Sequence, residues 1–164
     1  MSTTTTTTAT AAAPADARML GLAHYAARGL LEHVLAGHGA TFLEQVTLRT
    51  AVTAGAPLSQ EELVAGVRAS LKGSPADTLA AVASLRAKGH LVADGARLLP
   101  TDAGRELLAA VGAETAPVSA RVWADIPEED LAAAGRVLAL VAERADRELA
   151  ALERAAAESA TPES

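Results

Sequence analysis

The hydrophobic pattern of this chain changes period once, near residue 94. Leu91-Val92-Ala93 and Arg97-Leu98-Leu99 flank Asp94-Gly95-Ala96. Asp-Gly between two apolar runs is the strongest short hairpin signal, because a tight hairpin needs positive φ. The segments on either side read as helix. The fold class expected is therefore mainly α, with one short β-hairpin set among helices.

The helices are marked by their starts and stops. Leu20, Leu22, Ala26, Leu30, Leu31 and Val34 recur at helical spacing, and Gly37-His38-Gly39 ends that run. Thr41 with Glu44 three residues on is a capping box, and Gly55-Ala56-Pro57 stops the helix it opens. Ser59 with Glu62 is a second box, opening a short helix through Leu63 and Val67 to a turn at Leu71-Lys72-Gly73. Ser74-Pro75-Ala76-Asp77 starts the next: Ser74 caps, Pro75 fits the first helical position, and Asp77 is expected to close a third box. Thr78, Val82 and Leu85 form its inner stripe and Gly89 ends it. Beyond the hairpin, Thr101 caps a helix through Leu107, Leu108 and Val111, which Thr115-Ala116-Pro117 is expected to kink or interrupt. Pro127 and the acids Glu128, Glu129 and Asp130 open the last helix.

Leu131, Leu138, Ala145 and Leu152 follow in that helix at sevenfold spacing, a seam that suits a packed partner helix. Glu143 with Arg147, and Arg144 with Glu148, are expected i,i+4 pairs on its outer face. The first and last helices carry more apolar seam than the thin central lobe can cover, so a second copy of the chain is the economical partner.

Composition removes several function classes. The 164 residues contain no cysteine, so disulfide scaffolds, thiolate zinc sites and thiol redox switches are excluded. Aromatic residues are 2% of the chain, too few for a protein that stacks single-stranded bases on rings. The net charge is −6, so an overall basic footprint is absent. There is no basic-then-apolar leader and no apolar run of membrane-spanning length, so a cytoplasmic location is expected. No nucleophile elbow, Gly-rich phosphate loop or His-Glu-x-x-His motif occurs, so no catalytic role is expected. His24 and His33 are nine residues apart and fall on different helix faces, and no carboxylate set completes a site with them or His38. Neither metal nor cofactor is expected. Residues 1–16, nearly all Thr and Ala, read as a disordered tail, and residues 158–164 as a frayed end.

Three segments carry a family resemblance. Leu58-Ser59-Gln60-Glu61-Glu62-Leu63 resembles the opening of the first motif helix in MarR-family regulators. Leu85-Arg86-Ala87-Lys88-Gly89-His90-Leu91-Val92 resembles that family's recognition-helix exit. Leu99-Pro100-Thr101-Asp102-Ala103-Gly104 is similar to its Leu-Thr-x-x-Gly segment, with Pro100 before the Thr, and Ile126 to Leu140 looks like its C-terminal dimer helix. The resemblance spans about Arg18 to Leu152. It implies a MarR-like domain over 17–157: a winged helix-turn-helix lobe over about 56–104, flanked by dimerisation helices over about 18–54 and 105–157. It also implies a homodimer on a palindromic double-stranded DNA operator, a repressor released by a small ligand, with the helix from Ser74 to Gly89 in the major groove.

The candidate DNA contacts are Ser84, Arg86, Lys88 and Arg97. The outer face of the Ser74–Gly89 helix is expected to carry Asp77, Ala80, Ala81, Ser84 and Lys88, where the family usually has an arginine near Ala80 and Ser84. The wing, Val92 to Arg97, offers Arg97 alone for the minor groove. Between Ser59 and Gly104 five basic residues balance five acids, against −6 for the chain, which leaves this lobe relatively basic. Tyr25, Arg28, Arg49 and Trp123 are candidate ligand-binding residues, because an aromatic wall with a guanidinium suits an aromatic carboxylate. The neutral outer face and short wing motivate an alternative: a degenerate winged-helix module that binds a protein or a metabolite.

Overall fold

The computed structural model describes residues 15–159. The expected disordered tail lies outside them, except for Ala15 and Asp16. Asp16 caps the first helix, accepting from the Met19 amide at 2.8 Å. The chain divides into two compact units, the second starting at Ser119.

The first unit opens with α1 (Ala17–Gly37) and α2 (Phe42–Thr53). A two-residue strand β1 (Leu58–Ser59) precedes α3 (Gln60–Leu71), and α4 (Pro75–Ala87) follows. The hairpin β2 (Leu91–Asp94) and β3 (Arg97–Pro100) leads into α5 (Asp102–Val122). Gly95, at φ +56°, turns the hairpin as its sequence requires. β1 was not expected. It pairs antiparallel with β3, Leu58 opposite Leu98 and Ser59 opposite Arg97, to give a three-stranded sheet in the order β1-β3-β2.

The capping chemistry forms as written in the sequence, with one exception. Thr41 and Glu44 close a box on α2, and Ser59 and Glu62 close one on α3. At α4 the Ser74 hydroxyl accepts from the Ala76 amide at 3.1 Å, but Asp77 makes no return bond. Its side chain is one methylene shorter than the Glu or Gln that the box uses. Lys72 ends α3 in the left-handed region at φ +52°.

The core lies where α2, α3 and α4 meet beneath the sheet. Leu48, Leu63, Val67, Val82 and Leu85 are sealed there with Leu91 and Leu98 from the hairpin. Each fully buried leucine is worth about 1.5–3 kcal/mol of transfer free energy. A compact stitch joins α4, the hairpin and α5. The Thr101 amide donates to the His90 carbonyl at 3.1 Å and its hydroxyl to the Gly89 carbonyl at 2.7 Å, while the hydroxyl accepts from the Gly104 amide at 3.1 Å. Gly104 is a glycine for steric reasons: a Cβ there would press into the His90 carbonyl oxygen and against Leu48.

α5 corrects an expectation, since it runs through Pro117 without a break. The carbonyl that loses its partner belongs to Ala113, which is exposed and can be hydrated. α1 buries Leu35 only, and leaves Leu22, Tyr25 and Leu30 exposed.

The second unit contains α6 (Glu128–Ser159), which buries no residue. Its apolar seam, Leu138, Val141, Leu149 and Leu152 among others, is left uncovered by the rest of the chain. Glu143 and Arg147 pair at 3.6 Å, whereas the expected Arg144–Glu148 pair does not form. The helix also carries through Glu158 and Ser159, where a frayed end was expected. No helix of the described residues is long and apolar enough to cross a membrane.

Candidate nucleic-acid interface

α3, the turn at 72–74 and α4 form a helix-turn-helix, and β2–β3 forms the wing beside it. α4 is anchored by Thr78, Ala81, Val82 and Leu85, which are buried at i, i+3, i+4 and i+7. That corrects the expected outer face. Ala81 is buried and Ser84 is turned inward. The exposed side carries Ala76, Leu79, Ala80, Ala83, Arg86 and Ala87, with Asp77 in the first turn.

Ser84 and Lys88 meet at one buried carboxylate. The Ser84 hydroxyl donates to Glu44 Oε1 at 2.5 Å, and Lys88 Nζ donates to the same oxygen at 2.7 Å and to the Gly39 carbonyl at 2.8 Å. The other oxygen, Oε2, accepts from the Thr41 amide at 2.8 Å. Glu44 is 3% exposed, and an isolated carboxylate at such depth is costly. Burial pushes its pKa up. The bonds from Lys88, Ser84 and Thr41, with the Lys88 charge, outweigh that and hold it below the usual value. Both residues thus fasten α4 to α2.

Arg86 is exposed, and its side chain makes no hydrogen bond or ion pair among the described residues. Arg97 stands on β3 opposite Ser59, the N-cap of α3. Its Nη1 reaches Glu62 Oε2 at 2.5 Å, the oxygen that also accepts from the Ser59 amide at 2.7 Å. The Ser59 amide and hydroxyl, together with Arg97, hold the Glu62 carboxyl below its usual pKa. Glu44 and Glu62 are legible in the sequence as capping residues. Their second role, each pairing with a candidate DNA contact, has no local signal.

The ligand candidates of the first unit, Tyr25, Arg28 and Arg49, have different surroundings. Tyr25 is exposed on α1, edge-on to His24 at 5.3 Å. Arg28 pairs with Glu32 at 2.8 Å and lies 4.5 Å over the Phe42 ring. Arg49, exposed and unpaired among the described residues, stands at an open groove of about 450 Å³ between α2 and α3, with Thr50, Glu62, Gly66 and Ser70. Trp123 lies in the second unit, just after α5, and is exposed. Among the described residues no group of three or more His, Asp or Glu side chains is placed to hold a metal.

Solved structures with this architecture are numerous. A MarR-family transcriptional regulator from a Rhodococcus species matches with a TM-score of 0.63 at 20% identity, over 76% of this chain and 89% of that one. A Mycobacterium tuberculosis MarR-family protein, solved in complex with DNA, matches at 0.60 and 23% identity, over 78% and 98%. CouR from Rhodococcus jostii, solved bound to p-coumaroyl-CoA, matches at 0.63 and 20% identity, over 76% and 88%. No family model and no curated protein matches the chain. What is shared at such identities is the backbone plan, and the chain has the winged helix-turn-helix fold of the MarR-family transcriptional regulators.

Proposed function

We propose that this protein is a DNA-binding transcriptional regulator that acts as a homodimer on a palindromic site and is released by a small ligand. The observation that carries the reading is the surface of the winged lobe. α4 presents a solvent-exposed face of alanines, with Leu79 among them and Arg86 unpaired at its last turn, and the wing presents Arg97. Small side chains let the helix backbone lie deep in a major groove, and the two guanidinium groups serve the phosphates and the minor groove. The structural neighbour held in a DNA complex supports this assignment. The neighbour bound to p-coumaroyl-CoA supports a ligand-controlled protein.

We read the four candidate DNA contacts as divided by task, which the Glu44 and Glu62 pairings support. Arg86 and Arg97 touch DNA. Ser84 and Lys88 set the seat of α4 through Glu44 and act on DNA at second hand. Arg49, at the groove between α2 and α3, supplies the ligand site's cation. The exposed seams of α1 and α6 supply the dimer contacts, because apolar faces of this extent are uncommon on a monomer.

The test is fluorescence anisotropy of the full-length protein on a labelled duplex from its own upstream region, across a salt series, with random duplex as competitor. Preferential binding is expected, with log Kd changing by about 0.9 per log unit of salt for each phosphate neutralised. Affinity equal to that for random duplex at low salt, and indifferent to Arg86→Gln, would sink the proposal.

A further inference from the structure

We infer that Glu62 competes with DNA for the wing arginine, so that this one carboxylate tunes how tightly, and with what salt dependence, the lobe grips a duplex. The inference rests on the DNA-binding reading above.

The contact follows from strand register. β1 pairs with β3 so that Ser59 stands opposite Arg97. Ser59 is the N-cap of α3, and Glu62, at its third position, folds back toward the Ser59 amide. The arginine that leaves β3 at that point meets the returning carboxylate and pairs with it. Asp94 is opposite Arg97 across the hairpin, yet Arg97 pairs with Glu62 instead. The wing cation is therefore held against α3 in the absence of DNA.

The Glu44–Lys88 and Glu62–Arg97 pairs of the lobe differ in depth. The Glu44 side chain is 4% exposed and has a second and a third donor, Thr41 and Ser84, so Lys88 is held there. Arg97 and Glu62 are 52% and 54% exposed. An exposed pair is weakly held in water and is screened by salt. A phosphate, which accepts from a guanidinium in the same forked geometry as a carboxylate, can take Arg97 over. Glu62 keeps its capping bond to the Ser59 amide when that happens. What it loses is its counter-charge, and it then takes up a cation from solution. That uptake cancels part of the counterion release which drives phosphate binding.

The experiment compares wild type, Glu62→Gln, Glu61→Gln, Arg97→Gln and the double variant Glu62→Gln/Arg97→Gln, by anisotropy on the upstream duplex over a salt series. Glutamine still closes a capping box, so α3 keeps its start; thermal melting by circular dichroism checks this. Glu61 sits in the same turn, is exposed, and makes no ion pair among the described residues, so it controls for the loss of one negative charge. The expected result is a roughly two- to fivefold gain in affinity for Glu62→Gln at low salt, the range an exposed pair can withhold. The salt slope should steepen by up to about 0.9. The gain should be absent in Glu61→Gln and should vanish when Arg97 is glutamine. Equal gains from both glutamates, a gain that survives without Arg97, or no gain at all would each overturn the inference while leaving DNA binding intact. Failure of every protein, wild type included, to prefer the upstream duplex would overturn the DNA-binding reading and this inference with it.

Discussion

Replacing Lys88 by methionine tests whether that residue belongs to the fold or to the DNA. The side chain keeps its length and loses its charge. Glu44 then stays buried with the Thr41 amide and the Ser84 hydroxyl as its remaining donors. A charge-assisted hydrogen bond of this kind is worth about 1.5–3 kcal/mol, and breaking a fully buried ion pair costs about 3–5. Lys88 is 37% exposed, so water screens its end of the pair and the lower figure governs. We expect a loss of roughly 1–3 kcal/mol in urea unfolding at fixed protein concentration, since a dimer's midpoint depends on concentration. pH gives an independent reading. The folded pKa of Glu44 is depressed below its ordinary value of 4.5, so its contribution is present above 4.5 and is lost as pH falls through the folded value. Without Lys88 that depression shrinks, and the acid loss of stability should move to higher pH. Replacing both partners, Glu44→Gln with Lys88→Met, should recover part of the loss, because the uncompensated charge is gone. A destabilisation under about 0.5 kcal/mol with an unmoved acid limb would refute the assignment. Lys88 would then return to the set of DNA contacts.

The other expectations are simpler. Gly104→Ala should cost about 1–3 kcal/mol by thermal melting, since its Cβ meets a backbone carbonyl, whereas Gly112→Ala in the same helix has open space and should be neutral or stabilising by up to about 1 kcal/mol. Arg86→Gln should leave the melting temperature unchanged, weaken duplex binding and reduce the salt slope by about 0.9; an unaltered slope would remove Arg86 from the interface. Leu138→Glu on α6 should shift sedimentation velocity toward monomer at micromolar concentration, and an unchanged dimer would place the interface elsewhere.

What was legible in the sequence was local. Thr41, Ser59 and the Asp94-Gly95 pair each announce a backbone event within four residues, and each event occurs. The face of α4 was misread although its spacing was available: Ala81 is three residues after Thr78 and four before Leu85, both expected inward. Alanine carries so little apolar weight that its spacing alone does not mark a buried face. β1 was missed because two residues hold no period. The Glu44–Lys88 and Glu62–Arg97 pairs join positions far apart in the chain, and only tertiary register brings them together. Pro117 was given too much weight, because an exposed helix can hydrate the carbonyl it frees.

The stitch around Thr101 has a mechanical consequence. One hydroxyl bonds the second residue after α4 and the first turn of α5, and the amide beside it bonds the root of the hairpin. Helix exit, wing root and α5 start are pinned within a few ångströms, with Gly104 leaving no slack. The lobe then behaves as a caliper with a fixed jaw opening. The stitch fixes the backbone positions from which Arg86 and Arg97 project. Under the proposed DNA-binding function, a duplex with a groove too wide or too narrow for that span would have to deform to fit, so groove width would be read without touching a base.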